Sequence, residues 1–272
     1  FVSDRSGEPQ IWIINVDGTG EEQLTDLDGG ACQPEWSPAG ALLIFVSPCD
    51  KNQDSYPNSA IYLLDLVART ATQLTSGSGD FDPAWSPDGG TIAFTTLRRN
   101  NRPTLYLYLW TEQTEQFFSL GPAYIYQPEW SPAGDEVVYV TTAIGPELLF
   151  TSSMQERELV QFLRAETADS KSISAPEWSR DGLTIYYTIT PQSGGFGQLY
   201  SSLVSDIGLT KHLIISEGIP NREGSLSPDG GLLAFESWPD GNHDIWIVSL
   251  DGSGLTRLTM DGGNDFDAAW RP

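Results

Sequence analysis

Asp80-Phe81-Asp82-Pro83-Ala84-Trp85-Ser86-Pro87-Asp88-Gly89-Gly90-Thr91-Ile92-Ala93-Phe94 decides how the chain is read. Its middle is turn chemistry: Pro87 presets φ at one corner, Asp88 can bond its own backbone, and Gly89 tolerates a positive φ. One strand therefore enters at Trp85 and a second leaves through Ile92 to Phe94. Variants of the stretch recur along the chain. They are Pro34-Glu35-Trp36-Ser37-Pro38-Ala39-Gly40, Pro128-Glu129-Trp130-Ser131-Pro132-Ala133-Gly134, Pro176-Glu177-Trp178-Ser179-Arg180-Asp181-Gly182, Gly224-Ser225-Leu226-Ser227-Pro228-Asp229-Gly230 and the shortened Ala268-Ala269-Trp270-Arg271-Pro272. The step from Trp36 to Trp85, Trp130, Trp178, Leu226 and Trp270 is 44 to 49 residues each time.

A period of about 40 to 50 residues with several strands per unit is the mark of a propeller array. After each turn comes an apolar strand, a polar loop and a second apolar strand. A tight turn such as Asp17-Gly18-Thr19-Gly20 or Asp251-Gly252-Ser253-Gly254 then leads to a short strand ending in Gln-Leu-Thr or Arg-Leu-Thr. The chain ends just after a first strand at Trp270-Arg271-Pro272, and it begins at Phe1-Val2-Ser3, which matches Phe235-Glu236-Ser237 at the end of a second strand. The expected fold is all-β: a single six-bladed β-propeller over 1–272, of four-stranded antiparallel blades, with the last blade closed by both termini. Its blades fall at about 32–77, 81–121, 126–168, 174–216, 222–260, and 266–272 plus 1–26, the sixth with a shortened second strand.

The Trp-Ser-Pro-Asp-Gly strings, together with Ile11-Trp12-Ile13-Ile14-Asn15-Val16-Asp17-Gly18-Thr19-Gly20 and Gln23-Leu24-Thr25, resemble the WD40-like propeller repeat of TolB-type proteins. That resemblance covers essentially the whole chain. It implies an extracytoplasmic bacterial scaffold, as in TolB itself, or a propeller beside a serine-peptidase or kinase domain. The repeats fill the 272 residues, leaving no room among them for the separate amino-terminal α/β domain of TolB. A propeller is in any case a scaffold whose activity lives in grafted loops.

The formal net charge is -23, from 37 acidic and 14 basic residues, so the surface repels phosphate backbones and anionic membranes. Nucleic acid is excluded as a natural partner, and no apolar run reaches the length of a membrane span. The opening residue is Phe1 rather than Met, which reads as a mature chain or an excised part of a longer one. Cys32 and Cys49 flank a hairpin, outside the apolar strand cores, and a cross-strand disulfide in an oxidising compartment is the preferred reading. The expected location is extracytoplasmic, either periplasmic or secreted to the cell surface.

In a propeller the first strands line the axis, and the loops before them share one rim with the loops joining second to third strands. The residue before each Pro-x-Trp slot reads, blade by blade, Gln33, Asp82, Gln127, Ala175, Glu223 and Asp267. This ring sets three carboxylates and two amides around one channel mouth. Hard cations such as Ca²⁺ take six to eight oxygen ligands, so Asp82, Glu223 and Asp267 are candidate metal ligands, with calcium the cofactor implied. The plainer alternative is that these side chains hydrate the channel or cap the adjacent strand. Asp26, Asp28, Asp80, Glu217, Asp261 and Asp265 add acid to the same rim, an electrostatic funnel for a basic protein or peptide.

Arg98, Arg99 and Arg102 form the dense basic patch of that rim, read either as ion-pair formers or as a carboxylate clamp. Tyr56, Tyr124, Tyr126, Phe196 and Trp238 are rim aromatics that could anchor a partner. The periodic tryptophans are structural, and Glu35, Glu129 and Glu177 beside them are read as bonding the next blade's backbone. Enzyme signals are poor: there is no Gly-x-Ser-x-Gly elbow and no His-Glu-x-x-His, and His212 and His243 are the only histidines. The function expected is a non-catalytic scaffold holding a protein or peptide at the channel mouth through Gln33, Asp82, Gln127, Glu223, Asp267, Arg98, Arg99 and Trp238. The alternatives are a glycan-active hydrolase or lyase, or the propeller of a larger peptidase or kinase.

Overall fold

The Ser-Pro-Asp-Gly copies close hairpins by one repeated set of bonds. In the second blade the Ser86 N–H donates to the Thr91 carbonyl at 2.8 Å and the Gly89 N–H to the Ser86 carbonyl at 2.8 Å. The Ser86 hydroxyl donates to Asp88 Oδ1 at 2.6 Å and accepts the Thr91 N–H at 2.9 Å. Gly89 sits at φ 69°, where a side chain would be strained. Ser179 with Asp181 and Ser227 with Asp229 repeat the hydroxyl-carboxylate pair. Ala133 removes the carboxylate in the third blade, and Asp135 supplies it from two residues on.

The computed structural model describes residues 1–53, 55–118, 124–142, 148–155, 159–161, 171–191, 195–206, 211–215 and 218–272. The chain opens with β1 (Val2–Ser3), β2 (Gln10–Ile13) and β3 (Glu22–Gln23). Blade one is β4 (Cys32–Trp36), β5 (Leu43–Ser47), β6 (Ala60–Asp65) and β7 (Thr70–Gln73). Blade two is β8 (Asp80–Trp85), β9 (Thr91–Arg99), β10 (Arg102–Leu109) and β11 (Thr114–Phe117). Blade three is β12 (Ile125–Trp130), β13 (Glu136–Thr141), β14 (Leu148–Ser153) and β15 (Leu159–Gln161). Blade four is β16 (Lys171–Trp178), β17 (Thr184–Pro191), β18 (Gln198–Leu203) and β19 (His212–Leu213). Blade five is β20 (Asn221–Leu226), β21 (Leu232–Ser237), β22 (Asp244–Ser249) and β23 (Thr256–Arg257), and β24 (Asp265–Phe266) ends the series.

Each blade is a four-stranded antiparallel sheet, and the sixth has the order β24-β1-β2-β3. Val2 pairs with Phe266 on one side and Ile11 on the other, so the two ends of the chain share one sheet and the ring has no open seam there. The fold is thus the six-bladed propeller that the repeats imply. As expected, the sixth blade's second strand is short, at two residues.

The second strands carry fully buried rings at one repeated position, Phe45, Phe94, Tyr139, Tyr187 and Phe235, each under 2% exposed. Fully burying such a side chain stabilises the fold by about 2 to 3 kcal/mol. The periodic residues Trp36, Trp85, Trp130 and Trp178 are buried, and Leu226 fills the same slot in blade five. Two of the tryptophans also bridge blades: Trp130 Nε1 donates to the Ala84 carbonyl at 3.2 Å and Trp270 Nε1 to the Ser225 carbonyl at 2.9 Å.

A disulfide joins Cys32 and Cys49, with Cα atoms 5.8 Å apart. Its surroundings differ from those expected. Both cysteines are buried in one cluster with Phe45, Tyr56 and Phe81, because the connection from β5 to β6 folds inward over them.

Candidate functional site

Proline is confined within sheets to edges and bulges. Pro34, Pro83, Pro128 and Pro176 lie inside first strands, and each of those strands is bulged: the pairing register shifts between Cys32 and Glu35, Phe81 and Ala84, Tyr126 and Glu129, and Ser174 and Glu177. Blade five is bulged at the same place without a proline, between Arg222 and Ser225. The ring residue sits in each of these five bulges in the left-handed region, Gln33 at φ 50°, Asp82 at 51°, Gln127 at 49°, Ala175 at 49° and Glu223 at 55°, and Asp267, just past β24, shares it at 50°. Non-glycine residues rarely adopt this conformation, so all six blades hold it against a local cost.

The bulge frees a backbone N–H from its own sheet, and a buried N–H must find an acceptor. The ring side chains supply it from the preceding blade. Asp267 Oδ2 accepts the Gln33 N–H at 2.8 Å, Gln33 Oε1 the Asp82 N–H at 2.8 Å, Asp82 Oδ2 the Gln127 N–H at 3.0 Å, and Gln127 Oε1 the Ala175 N–H at 2.8 Å. Ala175 has no acceptor to offer, and Thr188 Oγ1 of the same blade takes the Glu223 N–H at 3.0 Å instead. Asp82 also accepts from Gln33 Nε2 at 2.8 Å and from the Thr95 hydroxyl at 3.0 Å. Burial pushes the Asp267 carboxyl up to about 6, with the Gln33 N–H opposing and the Glu236 charge adding.

All six ring residues line one cavity of about 180 Å³, shared with Asn52 and Gln53 of blade one. Among the described residues no three His, Cys, Asp or Glu side chains converge as a metal-ligand cluster. Asp82, Glu223 and Asp267 therefore share the cavity wall without being gathered about one point.

The rim groups divide by neighbour. Arg98 is ion-paired with Asp80 and Glu115, and Arg99 lies over the Phe117 ring at 4.1 Å. Arg102 is 6.0 Å from the Tyr124 ring centroid, so the three arginines do not converge as one clamp. Trp238 stacks on His243 at 4.5 Å and meets Phe196 edge-on at 6.1 Å. Behind it Glu236 accepts from Arg222 Nε at 2.8 Å and Nη2 at 3.0 Å, and contacts His243 Nδ1. Burial opposes charge on Glu236, yet His243 and Arg222 hold its carboxylate below the ordinary value.

Of the other rim aromatics, Tyr124 and Phe196 are exposed and Tyr126 is half-buried, whereas Tyr56, expected on the rim surface, is 2% exposed. It packs edge-on to Phe81 at 6.1 Å. Asp26 and Asp28 are exposed, Asp80 and Asp265 are buried against Arg98 and Arg5, and Asp261 also meets Arg5. Glu217 lies outside the described residues.

Deeper in the channel, Glu35, Glu129 and Glu177 face a second cavity of about 290 Å³ with Arg180. Glu35 accepts the Trp85 N–H and Glu177 the Leu226 N–H, each from the next blade. Burial pushes Glu35 up to about 8, helped by the Glu177 charge and opposed by Arg180. Burial likewise raises Glu177 to about 7 against Arg180, and raises Glu129 well above the ordinary range. Arg180 stands where four of the other five copies carry proline and the sixth carries it as Pro272; its Nη2 donates to the Leu226 carbonyl at 3.0 Å. This acidic waist was legible only as three glutamates beside tryptophans. Its convergence on Arg180 was not.

A sequence profile described as the TolB beta propeller domain matches residues 1–214. An uncharacterized peptidase, YuxL, of Bacillus subtilis (strain 168) is 27% identical over 223 residues, covering 79% of this chain and 31% of the relative. The Tol-Pal system protein TolB of Francisella tularensis subsp. holarctica (strain OSU18) is 26% identical over 139 residues, covering 48% of this chain and 31% of that protein. The chain thus spans about a third of the length of these relatives. Among solved structures, the crystal structure of TolB from Acinetobacter baumannii superposes with a TM-score of 0.80 at 20% identity, covering 97% of this chain and 63% of that one.

Proposed function

From its membership of the TolB β-propeller domain family, we propose that this chain is a non-catalytic binding scaffold, working outside the cytoplasm, that holds a basic protein or peptide segment at the acidic channel mouth. The observation that carries this is the cavity of about 180 Å³ on the axis, whose wall includes Asp82, Glu223 and Asp267 and, among the described residues, no arginine or lysine. An extended segment bearing Lys or Arg would set its charge against that wall, while rim groups such as Arg99, Trp238 and Phe196 flank the approach. Electrostatic complementarity of this kind sets specificity and association rate, and weakens with salt. The buried disulfide supports an oxidising compartment.

A display selection from a random dodecapeptide library tests the reading. Enrichment of Lys- and Arg-containing extended sequences, with binding lost between low and high salt, is the expected result. Enrichment of acidic or purely apolar sequences would contradict it. The resemblance to the B. subtilis peptidase favours a second reading, in which the propeller serves a larger hydrolase and its mouth admits substrate peptides. Slow cleavage of the selected peptides by the full-length protein would distinguish the two.

A further inference from the structure

The connection between β5 and β6 runs from residue 48 to 59, longer than its counterpart in any other blade. Pro48, Asp50, Lys51, Pro57 and Asn58 are exposed, whereas Cys49, Tyr56 and Ser59 are buried and Asn52, Gln53 and Ser55 half-buried. Cys49 is tied to Cys32, the residue just before ring member Gln33, and its N–H donates to the Gly29 carbonyl at 2.6 Å. From there Asn52 and Gln53 reach the cavity that holds the whole ring. Asn52 Nδ2 lies 3.4 Å from Glu236 Oε2, so a blade-one loop contacts blade five across the mouth. Ser55 lines a neighbouring cavity with Tyr126, Gln127, Arg222 and Glu223, on blades three and five.

Tyr56 then brings the chain home. Its ring is buried against Phe81, its hydroxyl accepts the Gln53 N–H at 3.3 Å, and it feels the charges of Asp267, Glu223 and Asp82. Burial first, and those three carboxylates with it, hold the phenol in its protonated form. Ser59 fixes the far end: its Oγ lies 2.7 Å from both the Tyr56 and the Asp80 carbonyl oxygens, and its one hydroxyl proton is shared between them.

We propose that this connection is a built-in plug of the channel mouth, latched by the Cys32–Cys49 disulfide on one side and by Asn52 against Glu236 on the other, which a partner segment must displace to reach the ring. Asn52 and Gln53 line the same cavity as the six ring residues, so plug and partner would compete for one space. This regulatory assignment rests on the scaffold reading for its partner, but the plug itself can be tested without one.

The test places a cysteine in the ring by Ala175→Cys and follows its modification by a small cationic methanethiosulfonate reagent. Val67→Cys, on an exposed turn, serves as the control. The rate at position 175 is measured in the native background, with residues 50–57 replaced by Gly-Gly, in Asn52→Gly/Gln53→Gly, and in Cys32→Ala/Cys49→Ala. The plug predicts rates about tenfold or more higher in the opened backgrounds, with no change at position 67. Equal rates at position 175 in all backgrounds would overturn it. Should the shortened or disulfide-free chain fail to fold, the Asn52→Gly/Gln53→Gly variant, confined to two half-buried loop residues, decides alone. Failure of the peptide selection on an opened variant would instead count against the scaffold reading and leave the plug standing.

Discussion

Gln33 and Asp82 bind each other twice across the gap between blades one and two: Gln33 Nε2 donates to Asp82 Oδ1 and the Asp82 N–H donates to Gln33 Oε1, both at 2.8 Å. The same Asp82 carboxylate accepts from Gln127 and Thr95, so one side chain ties β8 and β9 of blade two to β4 of blade one and β12 of blade three. Leaving a buried donor without its acceptor costs about 1 to 3 kcal/mol. Asp82→Ala orphans several at once and should lower stability by about 3 kcal/mol in urea unfolding, against about 1 kcal/mol for Gln33→Ala. A double-mutant cycle on the pair should return a coupling of about 1 kcal/mol, and additivity would show that Gln33 and Asp82 contribute nothing to stability through each other.

Ala175 is the ring member at φ 49° that offers no side-chain bond. Ala175→Gly relieves the left-handed strain and loses no partner, although glycine gives the unfolded chain more freedom. The net expectation is a gain of about 1 kcal/mol in the same unfolding assay. A loss of similar size would mean that the backbone strain at the bulges is smaller than argued.

The acidic waist predicts how stability follows pH. Folded Glu35 holds its proton to about 8 and Glu177 to about 7, whereas a glutamate ordinarily releases it near 4.5. Between those values the folded state binds more protons than the unfolded one, so stability is fullest at low pH in this window and falls as pH rises from about 5 to about 8. Asp265 and Asp267, raised to about 6, steepen the lower half of that decline. Glu35→Gln/Glu129→Gln/Glu177→Gln keeps the neutral form at every pH and should flatten the slope. A wild-type melting temperature that climbs from pH 5 to pH 8 would refute the assignment.

Arg180 opposes the upward shifts of all three glutamates. Arg180→Ala should therefore move the pH-dependent loss of stability to higher pH, while Cys32→Ala/Cys49→Ala should act at every pH alike. Opening a disulfide that spans 17 residues costs about 3 kcal/mol through the freedom returned to the unfolded chain. Thermal unfolding of the two variants across pH separates the charge effect from the covalent one.

Most of the architecture was legible because a repeated turn is written in residues with few other uses. Ser86, Pro87, Asp88 and Gly89 specify a hairpin wherever they recur, and the spacing of Trp36, Trp85, Trp130 and Trp178 counts the blades. The ring positions were also legible as a set. Their backbone was not, although Pro34, Pro83, Pro128 and Pro176 inside strands pointed to the bulges that free the N–H groups. Tyr56 and the two cysteines were misjudged as peripheral because burial by a long loop leaves no period to detect. The meeting of Glu236, Arg222 and His243, and of Arg180 with three glutamates, comes from closure of the ring and leaves no local pattern.

The most direct test of the scaffold is a hydrogen-exchange footprint of the selected basic peptide on the full chain at low and high salt. Slowed exchange at the ring amides of Gln127, Ala175 and Glu223, with altered exchange in residues 48–59 and loss of both effects at high salt, is the predicted result. Protection confined to the outer strands of the blades, unchanged by salt, would contradict it.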